Sequence, residues 1–564
     1  MALSLAVLVG GVAFGAEPGP APIPARLEWW AEARFGMFIH WGPVSLKETE
    51  ISWSRANTNT NCPNRGEIPA EVYDNLYRRF DPTNFDAAAW VSLAQAAGVK
   101  YMVLTAKHAD GFLLWDSKVD DYNIMHSPFH RDVCGELARA AHAAGMRLGW
   151  YFSPMDWRDP DCRSPHNDRF VRKMQAELTE LLTRYGRIDL LWFDCDGRQA
   201  PWDQARTYAL VKKLQPGIII NNRLDMGTDD NPGLARNLHQ PGDYFTPEQW
   251  VGGYDDQNPW ESCMTISRRG QWAWGGHSDG VKTFSQLLEM VVRCAGGDGN
   301  VLLNVGPMPT GEIAPEQAAR LREIGAWMAQ YSQSVYGTRG GPFKPGDYGV
   351  STRKGKTIYL HLTEPSGVLK LPPLPAKVVA CRLLTGGQAE VSQSAADLTV
   401  SLQPAGRVPQ DTIVEMELDR SALDIPAMEV PEPVSLALHA KATASNVYQG
   451  EAEFAADKAV DGRDDTRWAT DTGVHSAWLE LDLGRPQTFS RARLRQAYGE
   501  QQRVRRFALE AWTNGQWEAF YHGQDLGERL VAKFPAVTAQ RVRLLITEAT
   551  DGPTIWEFEL FGDR

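Results

Sequence analysis

A chain of 564 residues that is 43% hydrophobic and 23% charged has the composition of an ordinary globular protein, too long for one core, and two to four domains are expected. Its net charge of −12, with no basic patch, excludes a nucleic-acid partner and an anionic membrane surface. The 20 tryptophans are unusual: indole faces suit the apolar face of a sugar ring, although most of them must fill cores.

Residues 1–16 form an apolar run followed by small residues around Ala13-Phe14-Gly15. The run is too short to span a bilayer and reads as a signal peptide, although the basic segment that usually opens one is missing. Export to the periplasm or beyond is therefore expected, with the Pro-rich stretch 18–24 as a flexible new N-terminus. The seven cysteines (62, 134, 162, 195, 263, 294, 381) show no C-x-x-C or metal-type spacing, and their odd number leaves at least one thiol free.

From there to about residue 340 the pattern alternates. Apolar strands are predicted at 34–42, 99–108, 147–154, 188–197, 217–223 and 300–307. Between them, 87–98, 134–145, 169–186 and 283–297 carry apolar residues at helical spacing. Repeated strand–helix units over this length predict a (β/α)8-like barrel rather than a doubly wound sheet. No G-x-G-x-x-G or G-x-x-x-x-G-K-[ST] follows any strand, which argues against nucleotide cofactors.

Functional groups of such a barrel stand where its strands end. The ends read His40-Trp41, Lys107-His108 with Asp110, Tyr151, Trp192 with Asp194 and Asp196, and Asn221-Asn222-Arg223. A single polar strand end is usually a cap, whereas five together describe a hydrogen-bonding pocket with aromatic walls. There is no G-x-S-x-G elbow and no tight His/carboxylate spacing for a metal, which leaves carboxylate chemistry.

The blocks "EARFGMFIHWG", "KYMVLTAKHADGF", "RIDLLWFDCDG", "WESCMTIS" and "GDGNVLLNVGPMPTGEIAPEQAARLREIGAWM" resemble the signatures of the α-L-fucosidases of glycoside hydrolase family 29, over about residues 26–340. The resemblance implies a (β/α)8-like barrel followed by a β-sandwich, and exo-acting, retaining hydrolysis of terminal α-L-fucose without an organic cofactor. It carries the nucleophile to Asp194, the acid/base to Glu261, and substrate contacts to His40, His108, Tyr151 and Trp192; Trp41 joins these as a neighbour of His40. Retention requires two carboxyl groups ~5–5.5 Å apart, one attacking the anomeric carbon and one protonating the leaving oxygen. Asp196, two residues on along an extended strand, is a rival nucleophile, and Glu248 in "DYFTPEQW" is a rival acid/base. The family commonly has His-His where this chain has His108-Ala109, which reads as a pocket opened on one side.

The remainder is all-β. Residues 341–425 show short alternating strands and match the family's sandwich, and 426–434 is a Pro-punctuated linker. Residues 435–564, with "AVDGRDDTRWAT" and "TIWEFELFG", resemble the discoidin or coagulation-factor type C jelly-roll, which often serves glycosidases as a carbohydrate-binding module. That resemblance implies a structural calcium held by Asp461, Asp464 and Glu557 with the main chains of Ala459 and Thr466. The catalytic barrel is thus expected at 17–340 and its partners are expected to be fucosylated oligosaccharides or polysaccharides, with the oligomeric state left open. Two other readings remain: a fucose-binding protein weakened in turnover, and an adhesion protein acting through its C-terminal module.

Overall fold

The computed structural model describes residues 19–194, 202–224, 242–251, 253–363, 367–408, 410–463, 465–497, 503–527 and 529–562. The expected leader, Asp196 and Asp464 lie outside the described residues.

Seven parallel strands build the first sheet: β1 (Phe35–Ile39), β2 (Tyr101–Lys107), β3 (Arg147–Phe152), β4 (Leu190–Phe193), β5 (Ile219–Ile220), β6 (Glu261–Thr265) and β7 (Asn300–Val305). Their spatial order is β5-β4-β3-β2-β1-β7-β6. β1, β2, β4, β6 and β7 are buried along their whole length, as parallel strands covered on both faces must be. The gap between β5 and β6 is closed by extended chain at 243–249: Tyr244 bridges Asn221, while Phe245 and Glu248 bridge Trp260 and Cys263. The outcome is the expected (β/α)8-like barrel. β6 and the closing segment carry no strand signature in the sequence, because "ESCMT" opens on a charge and Pro247 interrupts the other.

Helices cover the outside at Ala87–Ala96, Val133–Ala143, Asp168–Thr183, Gln204–Leu214, Phe284–Gly296 and Pro315–Tyr331. The Asp86 carboxylate caps the first by accepting from Ala88 N and Ala89 N, and Thr283 with Gln286 forms a capping box on the fifth. Alternation along each strand separates two cores. On β1, Phe38 packs into the barrel interior with Tyr101, Tyr151, Trp192 and Cys263, whereas Met37, Ile39 and Trp41 pack outward with the helices. Lys107 also points outward, where it is buried against Glu177 at 2.6 Å. Among the described residues, no helix is long and apolar enough to cross a membrane.

A five-stranded sheet (Arg339–Gly340, Val350–Lys354, Thr357–Leu362, Thr412–Leu418, Val378–Leu383) and a three-stranded one (Val368–Leu371, Leu398–Leu402, Ala389–Gln393) follow the barrel. They share a core that includes Ile358, Leu360, Val400, Val414 and Met416. A separate unit, residues 431–564 together with 268–270, is dominated by the long antiparallel strands Ala477–Gln496 and Arg529–Ala549 around Trp468, Leu479, Leu544 and Phe558.

Each unit has its own hydrophobic core. A chain truncated after Val430 is therefore expected to fold and to unfold at the midpoint that the same transition shows in the full-length protein. Circular dichroism during denaturant titration checks this, and a truncated chain that aggregates or melts early would contradict it.

Candidate active site

The pocket is built where β1 to β5 end. His40 follows β1 and His108 follows β2; Tyr151 is the last residue but one of β3, Asp194 follows β4, and Arg223 lies three residues beyond β5. Phe38, Tyr151 and Trp192, each 1% exposed, seal the floor. Tyr151 lies between His108 and Trp192, stacked on both, with ring centroids 5.1 and 5.6 Å away.

Asp194 accepts two hydrogen bonds, from the Tyr151 hydroxyl at 2.8 Å and from Arg223 Nη1 at 2.9 Å. The same Nη1 donates to Glu248 Oε2 at 2.8 Å. Two such bonds to one nitrogen keep the carboxylate oxygens within about 5.7 Å of each other. Both acids remain partly open, with side chains 25% and 28% exposed. Arg223 is buried over the face of Trp192 at 4.6 Å and is anchored through Nε to Thr246 Oγ1 (2.7 Å) and Nη2 to Thr246 O (2.9 Å). Burial alone would weaken its hold on the proton, but the charges of Glu248 and Asp194 outweigh that and keep it a cation.

The two histidines are neutral. Burial pushes both pKa values down to about 3, and at His40 the neighbouring His108 adds to the effect while Asn304 and Asp194 oppose it. Their hydrogen-bond partners fix opposite tautomers. Asn304 Nδ2 donates to Trp272 O (2.7 Å), so the Asn304 Oδ1 that meets His40 Nδ1 at 2.6 Å must accept. His40 Nδ1 therefore carries the proton and Nε2 is left an acceptor. Ser52 Oγ accepts from Asp110 N (2.8 Å); at 0% exposure, and with no other acceptor among the described residues, its own proton goes to His108 Nδ1 (2.6 Å), which leaves His108 Nε2–H a donor.

Two expected site residues, Trp41 and Glu261, lie elsewhere, and the opening expected at Ala109 is not there. Trp41 is 1% exposed, donates through Nε1 to Met308 O (3.0 Å), and packs on Phe80, Phe85 and Trp90: strand alternation turns it away from the pocket that His40 faces. Ala109 is also 1% exposed and its carbonyl accepts from Trp157 N (2.8 Å), so no open space borders it and the expected opening is absent at this point.

Glu261 stands at the opposite end of the barrel. It is the first residue of β6, opposite Asn300 at the start of β7, and about 13 Å of strand at ~3.3 Å per residue separates it from Thr265 at the pocket end. It is 0% exposed. Its Oε1 accepts from Trp192 Nε1 (3.3 Å), and its Oε2 from Trp30 Nε1 (3.1 Å) and the Tyr101 hydroxyl. Burial pushes its carboxyl up to about 7 against these three bonds. No face of it is free to meet a leaving-group oxygen, which corrects the expectation that it is the acid/base. Gly36 permits the arrangement: a Cβ there would lie 2.4 Å from the Tyr101 ring.

Arg223, Thr246, Ser52, Asn304 and Glu248 complete the pocket. Arg223 ends a predicted strand and Glu248 is the rival acid, so both are visible in the sequence; Ser52 and Asn304 carry no local signal. In the C-terminal unit, Glu557 Oε1 accepts from Gly462 N (3.0 Å) and Arg463 N (3.1 Å), and Asp461 accepts from Thr466 Oγ1 (2.8 Å). Burial, with the charges of Glu559 and Asp461 nearby, pushes Glu557 up to about 7. Among the described residues no group of three or more His, Cys, Asp or Glu is placed to hold a metal ion, and Asp464, the third expected acidic ligand, lies outside them.

A sequence profile described as Alpha-L-fucosidase matches residues 22–333, and one described as F5/8 type C domain matches 441–559. Plasma alpha-L-fucosidase of Rattus norvegicus is 30% identical over 339 residues, which are 56% of this chain and 71% of that protein. Alpha-L-fucosidase isoenzyme 1 from Paenibacillus thiaminolyticus superposes with a TM-score of 0.61 at 32% identity, covering 70% of this chain and 99% of the other. An alpha-L-fucosidase GH29 from Bacteroides thetaiotaomicron, a trapped covalent intermediate in complex with 2-fluoro-fucosyl fluoride, superposes with a TM-score of 0.61 at 28% identity over 72% of this chain and 99% of its own.

The two glutamates are expected to separate by stability. Glu261→Ala orphans three buried donors and should cost about 3 kcal/mol or more, whereas Glu248→Ala, at a partly open position, should cost about 1 kcal/mol. Denaturant midpoints of the two variants check the order, and equal losses would refute it.

Proposed function

The chain belongs to the α-L-fucosidase family of glycoside hydrolases, and from that premise we propose that it is an exo-acting, retaining α-L-fucosidase with Asp194 as nucleophile and Glu248 as acid/base. The observation that carries the assignment is the single guanidinium nitrogen of Arg223 shared by Asp194 and Glu248. The two bonds keep the facing oxygens within about 5.7 Å of each other, a limit that accommodates the ~5–5.5 Å spacing of a double displacement. The covalent intermediate trapped in the Bacteroides relative supports the same stereochemical course.

In the first step Asp194 attacks the anomeric carbon while Glu248, in its acid form, gives its proton to the departing oxygen. A glycosyl ester on Asp194 results. In the second, Glu248 takes a proton from water, the water oxygen attacks the anomeric carbon, and Asp194 leaves as carboxylate. Arg223 and the Tyr151 hydroxyl orient Asp194 throughout. The sealed floor of Phe38, Tyr151 and Trp192 supports exo action, since it leaves depth for a chain end and no exit for a continuing chain. The opposed tautomers of His40 and His108 suit sugar hydroxyls: one can donate to His40 Nε2 while another accepts from His108 Nε2–H. The C-terminal module would tether the enzyme to glycans and raise the local substrate concentration. Asp461 and Glu557 would hold a structural calcium there, with Asp464 outside the described residues.

Asp194→Gly is expected to lower turnover by several orders of magnitude, with partial rescue by azide, which can enter the vacated space. Glu248→Ala should slow substrates with poor leaving groups far more than activated aryl fucosides, because the latter need little protonation. Glu261→Ala should reduce both alike. A leaving-group dependence appearing at Glu261 instead would overturn the assignment.

The histidines make a second prediction. With folded-state values of about 3, both stay neutral through mildly acidic solution, so binding of free L-fucose to the Glu248→Gln variant should not change between about pH 7 and pH 4.5. Calorimetric titration across that range checks it, and a break near 6.5 would place a charged imidazole in the pocket. The effect on stability has a fixed sign. The unfolded chain takes up these protons near 6.5 and the folded one only near 3, so stability falls as pH drops below 6.5.

A further inference from the structure

Two of the seven cysteines, one hundred residues apart in sequence, are brought together beside the pocket. Cys62 lies on the segment that follows β1, within the small hairpin formed by Ala56–Asn57 and Asn64–Arg65; Cys162 lies on the loop that follows β3. Cys62 Sγ approaches the Cys162 carbonyl at 4.0 Å, which sets the two residues side by side. They are 3% and 0% exposed. Each has a polar neighbour: Asn57 Nδ2 donates to Cys62 Sγ at 3.7 Å, and Asp156 N donates to Cys162 Sγ at 3.4 Å. Cys134, Cys263 and Cys294 instead lie within helices and a strand of the barrel, where they serve as small core residues.

Both segments converge on the end of β2. From the first, Ser52 holds His108 and the main chain of Asp110; from the second, Trp157 N donates to Ala109 O. Trp53 and Trp157 meet edge to face between the two segments, with centroids 5.2 Å apart.

We propose that Cys62 and Cys162 form a disulfide that ties the loop after β1 to the loop after β3 and so fixes one wall of the pocket. The thiols differ in a way that orders the reaction. Cys62 is the less buried of the two, and its closeness to Cys162 holds its thiol below the ordinary range while that of Cys162 is pushed above it, so Cys62 is the attacking sulfur. The Cys62 thiolate attacks one sulfur of an external disulfide, protein-borne or of low molecular weight, and displaces a thiolate. Cys162, giving up its proton, then attacks the Cys62 sulfur of the mixed disulfide and releases the second thiol. The pair loses two electrons and two protons, and the external disulfide is reduced to two thiols.

The test uses the full-length protein before and after incubation with oxidised glutathione. Thiols are counted in denaturant and peptides are mapped by mass spectrometry without reduction. Titratable thiols should fall from seven to five, with one linked peptide pair carrying Cys62 and Cys162. Cys62→Ser and Cys162→Ser should each show six thiols before and after. The oxidised protein should melt at least about 2 °C above the reduced one, a difference absent from both variants, because closing a long loop restrains the unfolded chain. Seven thiols after oxidation, a stable glutathione adduct on Cys62 without ring closure, or a link between other cysteines would each overturn the proposal.

Discussion

A guanidinium removed from water is tolerated only beside compensating charge, and Arg223 imposes that condition on the whole pocket. It is 2% exposed, and its planar fork is fully directed: Nε and Nη2 to Thr246, Nη1 to Asp194 and Glu248. Two carboxyl groups on one nitrogen make a geometric instrument as well as an electrostatic one, because the separation of their bonded oxygens cannot exceed what the two bonds allow. In the proposed cycle the arrangement is also balanced. When Asp194 becomes an ester, Glu248 has just lost its proton, so one negative charge always faces the cation and the buried charge is never left alone.

The support for Arg223 runs downward through the barrel in layers. Its plane rests on Trp192, and the Trp192 indole is pinned from below by Glu261, which also gathers Trp30 and Tyr101. A carboxyl with three donors and no cation is a costly group to bury, as its elevated pKa records, yet it aims three aromatic N–H or O–H groups at one point beneath the pocket. Glu261 thus acts on the site through Trp192 without touching it. The glycine at position 36 belongs to the same layer, since only a missing side chain lets the Tyr101 ring reach inward.

Much of this was legible in the sequence. Apolar runs bounded by polar residues located six of the seven strands, and residues at their ends supplied His40, His108, Tyr151, Trp192 and Asp194, which the structure brings together. What failed did so for identifiable reasons. A motif marks a residue but not its end of the strand, and Glu261 opens β6 where the pocket needs residues that close a strand. Trp41 failed by parity, since adjacent strand residues face opposite sides. Glu248 stands second in the sequence because the resemblance carries the acid/base to Glu261, and its extended segment, broken by Pro247, joins the barrel only through isolated bridges. Ser52 and Asn304 matter only through the imidazoles they contact across 56 and 264 residues of sequence, a relation no local pattern contains.

The motif Lys107-His108-Ala109-Asp110-Gly111 shows how a strand end can serve several masters. Lys107 turns outward to Glu177, His108 turns inward to the pocket, and the Ala109 carbonyl accepts from Trp157 N. The Asp110 carboxylate accepts from the Tyr73 hydroxyl (2.7 Å) and from Phe112 N (3.1 Å), closing the turn on itself. Gly111 has φ +80°, and a Cβ there would lie 2.3 Å from the Asp156 carboxylate, so the turn and the loop after β3 can approach only with glycine at this place. Five consecutive residues thus fix the positions of a helix, a pocket and two loops. Ala109 itself offers the pocket almost no accessible surface, so selectivity at this wall falls to the neighbouring segment that carries Ser52, the partner of His108.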